Sequence, residues 1–116
     1  NYSMFRAYGC DWEKFAFGHS DFHADVEYNV NRQYKKLTMN LNPYKTMGAY
    51  GWAKVNVYVD GKLVATSPVI EQKTRECVKF EVTVENAEYI IIEPVVSCIS
   101  GEYDGALLLW DVKLWP

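Results

Sequence analysis

The stretch Trp52-Ala53-Lys54-Val55-Asn56-Val57-Tyr58-Val59-Asp60-Gly61-Lys62-Leu63-Val64-Ala65-Thr66 decides the fold. Successive side chains of a strand leave opposite faces. Ala53, Val55, Val57 and Val59 therefore point one way, and Trp52, Lys54, Asn56 and Tyr58 the other. One face is apolar and seeks a core, while the other offers polar groups and two aromatic rings to water. Asp60-Gly61 is a two-residue hairpin signal, because the turn that suits it needs positive φ at both central positions. Residues 62–66 form the returning strand.

The same period of two runs through Ala24-Asp25-Val26-Glu27-Tyr28-Asn29-Val30, Leu37-Thr38-Met39-Asn40-Leu41-Asn42 and Val78-Lys79-Phe80-Glu81-Val82-Thr83-Val84. These read as half-buried antiparallel strands. Tyr89-Ile90-Ile91-Ile92 is nearly all apolar, as an interior strand is. Gly101-Glu102-Tyr103-Asp104-Gly105 is a loop before a last strand over residues 106–115. Strict alternation in that strand puts Leu108, Trp110, Val112 and Leu114 together, which makes Trp110 a core residue. Tyr28, Phe80 and Tyr89 read as strand-packing rings, and Phe15 and Phe17 as core. No stretch longer than a turn shows a helical period. The fold class is all-β, an antiparallel β-sandwich.

At 116 residues the chain makes one domain, residues 1–116. It starts without Met and stops after Trp115-Pro116, as a soluble module excised from a larger secreted protein would. Its net charge of −3, with Lys and Arg scattered, provides no basic field for phosphates, so nucleic acid is excluded as a partner. No apolar run approaches the roughly 20 residues that span a bilayer, so no membrane partner is expected. Cys10, Cys77 and Cys98 contain no zinc-type pair. A hairpin of strands 77–85 and 88–96 would bring Cys77 and Cys98 together at its open end, where a disulfide is geometrically allowed. Free thiols are the alternative, and Cys10 has no evident partner.

Aromatics make up 16% of the chain, more than a core of this size needs, so some rings belong to the surface. Trp52 leads them. A flat ring on a stiff sheet, beside amide and ammonium groups, can stack on the apolar C–H face of a pyranose while its neighbours bond the hydroxyl rim. Lys54, Asn56 and Tyr58 share its face, and Asn40 and Asn42 join them if strand 37–42 pairs with 52–59. A second arrangement places the site at the loop end of the sandwich. There the long connection of residues 43–51, with Tyr44 and Tyr50, would act with Tyr8, Trp12 and Tyr103. Both arrangements remain open. A packed Trp52 and a merely solvated polar face are the competing readings.

A family resemblance adds to this. Phe17-Gly18-His19-Ser20-Asp21-Phe22-His23-Ala24-Asp25-Val26-Glu27-Tyr28-Asn29-Val30 resembles the opening of the NPCBM family of carbohydrate-binding modules, where a glycine precedes a His-Ala pair and a strand. Val57-Tyr58-Val59-Asp60-Gly61-Lys62-Leu63 is similar to that family's central hairpin, with Ser67 where its returning strand often carries a serine. Val82-Thr83-Val84-Glu85-Asn86-Ala87-Glu88-Tyr89-Ile90 and Trp110-Asp111-Val112-Lys113-Leu114 resemble its later strands. The chain differs in a Gly18-to-His23 stretch one residue longer, and in Asn42-Pro43-Tyr44 where an acidic segment is usual. The resemblance implies a jelly-roll-like sandwich outside the cell, attached to catalytic domains such as glycoside hydrolases, that binds a polysaccharide or glycan such as a β-glucan and catalyses nothing. It also keeps His23, near the family's ligand loops, among the site residues.

Enzyme motifs are absent: there is no GxSxG, HExxH or phosphate-cradling loop. His23 has Asp21 and Asp25 nearby, but residues two apart on a strand do not make a catalytic pair. Asp104 with Glu102, and Asp11 with Glu13, have oxygens of the kind calcium takes. Loop carboxylates are more often simply solvated, so no cofactor and no metal is expected. The carbohydrate-binding residues expected are thus Trp52, Tyr58, Tyr50, Lys54, Asn56, Asn40, Tyr103, Trp12 and His23. The rival reading is a structural or protein-interaction sandwich in which the same aromatics meet a neighbouring protein.

Overall fold

A computed structural model describes residues 5–9, 21–23 and 25–116. In chain order the strands among them are β1 (Phe5–Gly9), β2 (Asp21–His23), β3 (Val26–Asn29), β4 (Lys36–Pro43), β5 (Trp52–Val59), β6 (Lys62–Thr66), β7 (Ile70–Glu71), β8 (Val78–Thr83), β9 (Tyr89–Ser97) and β10 (Ala106–Trp115), with a 3₁₀ turn at Gly101–Tyr103. Two antiparallel sheets face each other. The first has the order β1-β10-β4-β8 and the second β2-β9-β5-β6, with β3 continuing the edge along β9 and β7 pairing with the start of β5. The expected antiparallel sandwich is therefore the observed fold. Cys10, Trp12, Phe15, Phe17 and His19, with Asp11 and Glu13, lie outside the described residues.

The alternation read from the sequence sets which faces meet. Leu37, Met39 and Leu41 of β4, Ala53, Val55 and Val57 of β5, and Ile90 and Ile92 of β9 are all at most 1% exposed and fill the space between the sheets. Each such side chain contributes roughly 1.5–3 kcal/mol by leaving water, Ala53 less. Asp60-Gly61 makes the expected turn, with φ of 50° and 85°. The Asp60 carboxylate also accepts the Glu88 and Tyr89 backbone N–H groups, tying the hairpin to β9. Ser67 is buried where the chain leaves β6, and its Oγ accepts the Val55 N–H at 2.9 Å. Pro94 lies inside a central strand, where it cannot donate to the ladder. The break between β2 and β3 falls opposite Glu93-Pro94, so the edge strand is interrupted where β9 has no donor to give.

Four expectations fail. Strand 37–42 does not pair with 52–59, because β4 belongs to the first sheet and β5 to the second. Period two names the buried face of a strand, not its partner, and the long loop between these strands is enough to cross the sandwich. Strands 77–85 and 88–96 make no hairpin either. Val84 and Ala87, each 1% exposed, draw their connection into the core and carry it from β8 in one sheet to β9 in the other. Cys77 is accordingly free, and Cys98 is disulfide-bonded to a residue other than Cys77.

The third is Trp110. The β10 register against β4 slips by one residue between Trp110 and Lys113, with Asp111 at φ 54°. This β-bulge re-aims the side chains beyond it. Leu107 and Leu109 point inward before the bulge, and Val112 and Leu114 after it. Trp110 is left on the outer face, where its indole N–H donates to Asn42 Oδ1 at 2.9 Å. Tyr8, expected in a loop, lies in β1 opposite Leu107 and is buried.

Candidate functional site

The outer face of the second sheet carries the first group of expected residues. Trp52, Lys54, Asn56 and Tyr58 are half-exposed along β5, as alternation required. Trp52 is not sealed in the core. Its ring borders an open cleft of about 330 Å³ whose other walls are Lys54, Val69 and Glu71. Glu71 of β7 sits directly across from it in register. The Lys54 ammonium lies 5.6 Å from the ring centroid, within cation–π range. An apolar plate with an ammonium and a carboxylate at its rim can take the C–H face of a sugar and bond its hydroxyls.

Further along β5 the polar groups hold one another. Asn56 Nδ2 donates to Glu93 Oε1 at 2.9 Å, the Tyr58 hydroxyl donates to the same oxygen at 3.2 Å, and Thr66 Oγ1 donates to Asn56 Oδ1 at 2.8 Å. Burial first, then the Glu93 charge and its hydrogen bond, and last the Asp25 charge, raise the Tyr58 phenol above its ordinary value. This network fixes the rotamers of Asn56 and Tyr58, and among the described residues the second Asn56 amide N–H has no partner. Glu93 was not singled out in the sequence, although it is the one charge in the apolar run Ile90-Ile91-Ile92-Glu93-Pro94-Val95-Val96.

The loop-end group lies beside Trp52 and is joined to it. The loop of residues 44–51 is bonded to the 3₁₀ turn through Tyr50 N–H to Glu102 O at 2.7 Å and Gly48 N–H to Asp104 O at 2.8 Å. The approach is so close that a Cβ at Gly51 would overlap the Asp104 carbonyl. The Tyr50 and Tyr103 rings stack at 5.1 Å with 25° between their planes, and they are 64% and 47% exposed, so the pair forms a second aromatic surface. Ser97 connects the two groups from a fully buried position. Its Oγ accepts the Trp52 N–H at 3.0 Å and donates to the Tyr103 carbonyl at 2.8 Å.

The sheet face and the loop end are therefore neighbours at one corner of the sandwich. His23 of β2 pairs with Val95 of β9, which pairs with Lys54, so by strand spacing it stands about 10 Å from Lys54. Asn40 does not join this group. With Asn42 it lies on the outer face of the first sheet, because β4 and β5 do not pair. Trp12 lies outside the described residues. The Asp104 carboxylate accepts the Ile99 N–H at 3.0 Å, and among the described residues no three His, Cys, Asp or Glu side chains gather as a metal site.

A family model, the NPCBM/NEW2 domain, matches residues 14–97. Among solved structures, the chain is similar to that of CBM51-2 in complex with GlcNAc and INT domains from Clostridium perfringens ZmpB. The TM-score is 0.52 at 23% identity, over 81% of this chain and 21% of that one. It is also similar to the M60 catalytic domain with the CBM51-1 and CBM51-2 domains of the same protein. Here the TM-score is 0.51 at 20% identity, over 80% of this chain and 10% of that one. The chain thus spans about a fifth or less of the length of these structures. At such identities the likeness speaks for the fold alone. No curated protein matches the chain.

Proposed function

Because the chain belongs to the NPCBM/NEW2 domain family of noncatalytic carbohydrate-binding modules, we propose that it binds a glycan at the corner formed by Trp52, Lys54, Tyr50 and Tyr103, with Trp52 as the stacking plate. The observation that carries this reading is the half-exposed Trp52 ring in an open cleft, edged by Lys54 and Glu71 and fixed at its backbone by Ser97. A pyranose laid on the indole puts its rim hydroxyls within reach of the ammonium and the carboxylate. The Tyr50–Tyr103 pair takes the next sugar along, and Asn56 and Tyr58 extend the polar surface. His23 and Trp12 remain members of the proposed site, and Asn40 is too far round the sandwich to contribute to this corner.

Each stacked ring contributes about 1 kcal/mol beyond its burial, which places a two-plate site in the micromolar to millimolar range. Such weak binding suffices for a module tethered to an enzyme outside the cell, since tethering raises the effective concentration. The likeness to a CBM51-2 domain solved with GlcNAc makes GlcNAc the first probe. The extended face makes β-glucan oligosaccharides the second. Titration calorimetry of wild type and Trp52→Ala, with circular dichroism as the control for folding, tests the reading. Binding by the wild type and its loss in a folded Trp52→Ala are expected. A folded variant that binds like the wild type overturns the assignment.

A further inference from the structure

The first sheet carries a second groove, on the side of the molecule away from Trp52. It has a volume of about 310 Å³ and lies across β4, β8 and β10. Trp115 lines it, is 39% exposed, and donates its indole N–H to Thr38 Oγ1 at 2.9 Å, which holds the ring in place. The Lys36 and Lys113 ammonium groups lie 5.5 and 5.7 Å from the ring centroid. The β-bulge at Asp111 shapes this wall, and a non-glycine residue in the left-handed region is backbone strain of the kind that gathers at functional sites.

The charges decide what the groove accepts. Lys36 pairs with Glu81 at 3.7 Å and Lys113 with Asp111 at 3.6 Å. Lys79, on the same outer face opposite Asn40, has no ion pair among the described residues. In a chain of net charge −3 this groove therefore sums to about +1, three ammonium groups against two carboxylates. A neutral sugar's hydroxyls can accept a hydrogen bond from the unpaired ammonium, but a carboxylate accepts a stronger, charge-assisted one and also cancels the charge, so the groove favours an acidic sugar. We propose that the Trp115 groove is a second glycan subsite specific for a carboxylated sugar, such as a hexuronate. Its C–H face lies on the indole and its carboxylate meets Lys79 and the lysines flanking Trp115. The choice of a sugar rests on the glycan-binding reading of the chain, but the residues are separate from those of the Trp52 corner.

The test is calorimetry on the whole chain with a tetrasaccharide of alternating glucuronate and N-acetylglucosamine, and with its carboxyl-reduced form. Trp52→Ala is expected to retain binding of the acidic form and to prefer it over the reduced one. In that background Trp115→Ala lowers affinity about tenfold. Lys79→Gln, an exposed change that leaves the packing intact, lowers it about two- to fivefold, and added salt mimics this loss. The proposal is overturned if Trp52→Ala abolishes acidic binding, if the reduced form binds that variant equally well, or if Lys79→Gln has no effect. Binding of neutral oligosaccharide that still depends on Trp52 would leave the first site standing in each of those cases. Loss of that neutral binding, with the acidic binding intact, would sink the first site alone.

Discussion

Replacing Ser97 by Ala should separate the framework of the candidate site from the framework of the core. Ser97 is fully buried, and its hydroxyl is the partner of both the Trp52 N–H and the Tyr103 carbonyl. An alanine keeps the volume and removes both bonds. The Trp52 N–H is left without its partner, at about 1–3 kcal/mol. For a domain of this length each kcal/mol is worth roughly 4 °C, so Tm should fall by roughly 4–12 °C. The same change loosens the joint between the Trp52 edge and the turn that presents Tyr103, so glycan affinity should fall as well. Ser67→Ala is the matched control. It removes a comparable bond, from the Val55 N–H, at a place that faces the core behind the site. Calorimetric melting and glycan titration of the two variants should show similar losses of stability, but a loss of affinity for Ser97→Ala alone. Equal affinity in both variants, or an Ser97→Ala protein as stable as the wild type, would refute the linkage.

Three further outcomes follow from the fold and the charges. Trp110→Phe should cost about 1 kcal/mol, the worth of the bond to Asn42, whereas the neighbouring core substitution Leu109→Ala should cost about 2–5 kcal/mol. Urea unfolding that ranked them the other way would return Trp110 to the core. Asp111→Gly should be neutral or stabilising, since it relieves a left-handed residue and loses only an exposed pair with Lys113, while Asp111→Val should cost about 1–2 kcal/mol. Equal effects would show that the bulge is not strained. Tyr58 keeps its proton in the folded chain above the ordinary value of 10.0. Its contribution is complete below about pH 10 and is lost as pH rises through the raised value. Urea midpoints across that range should fall less steeply for Tyr58→Phe, and parallel curves would contradict the Glu93 contact.

What the sequence disclosed follows from what each pattern physically encodes. The alternation in β5 could be read because one of its faces is buried, and a shift by one residue would expose every valine. Asp60-Gly61 could be read because few residue pairs accept positive φ twice. Alternation carries no information about the partner strand, so it does not show that β4 and β5, or β8 and β9, lie in opposite sheets. The bulge in β10 left no glycine as a sign, since Asp111 occupies the left-handed position, and that alone moved Trp110 from the expected interior to the surface. Glu93 and Ser97 carry a readable signal, as polar residues in the long apolar strand β9, whereas the place of Trp115 beside Lys36 depends on a strand register that its own sequence does not encode. The closeness of Tyr50, Tyr103 and Trp52 depends on backbone bonds between two loops far apart in the chain, which no local pattern reveals.

Indole N–H resonances in a nitrogen–proton correlation spectrum, assigned through Trp→Phe variants, report directly on which ring meets the sugar. The Trp110 and Trp115 signals belong to N–H groups already bonded to Asn42 and Thr38. On titration with GlcNAc or a neutral β-glucan oligosaccharide, the Trp52 signal should move in proportion to saturation, with the Lys54 and Tyr50 amides following it. A Trp52 signal that stays fixed while the oligosaccharide demonstrably binds would contradict the stacking of a pyranose on that ring.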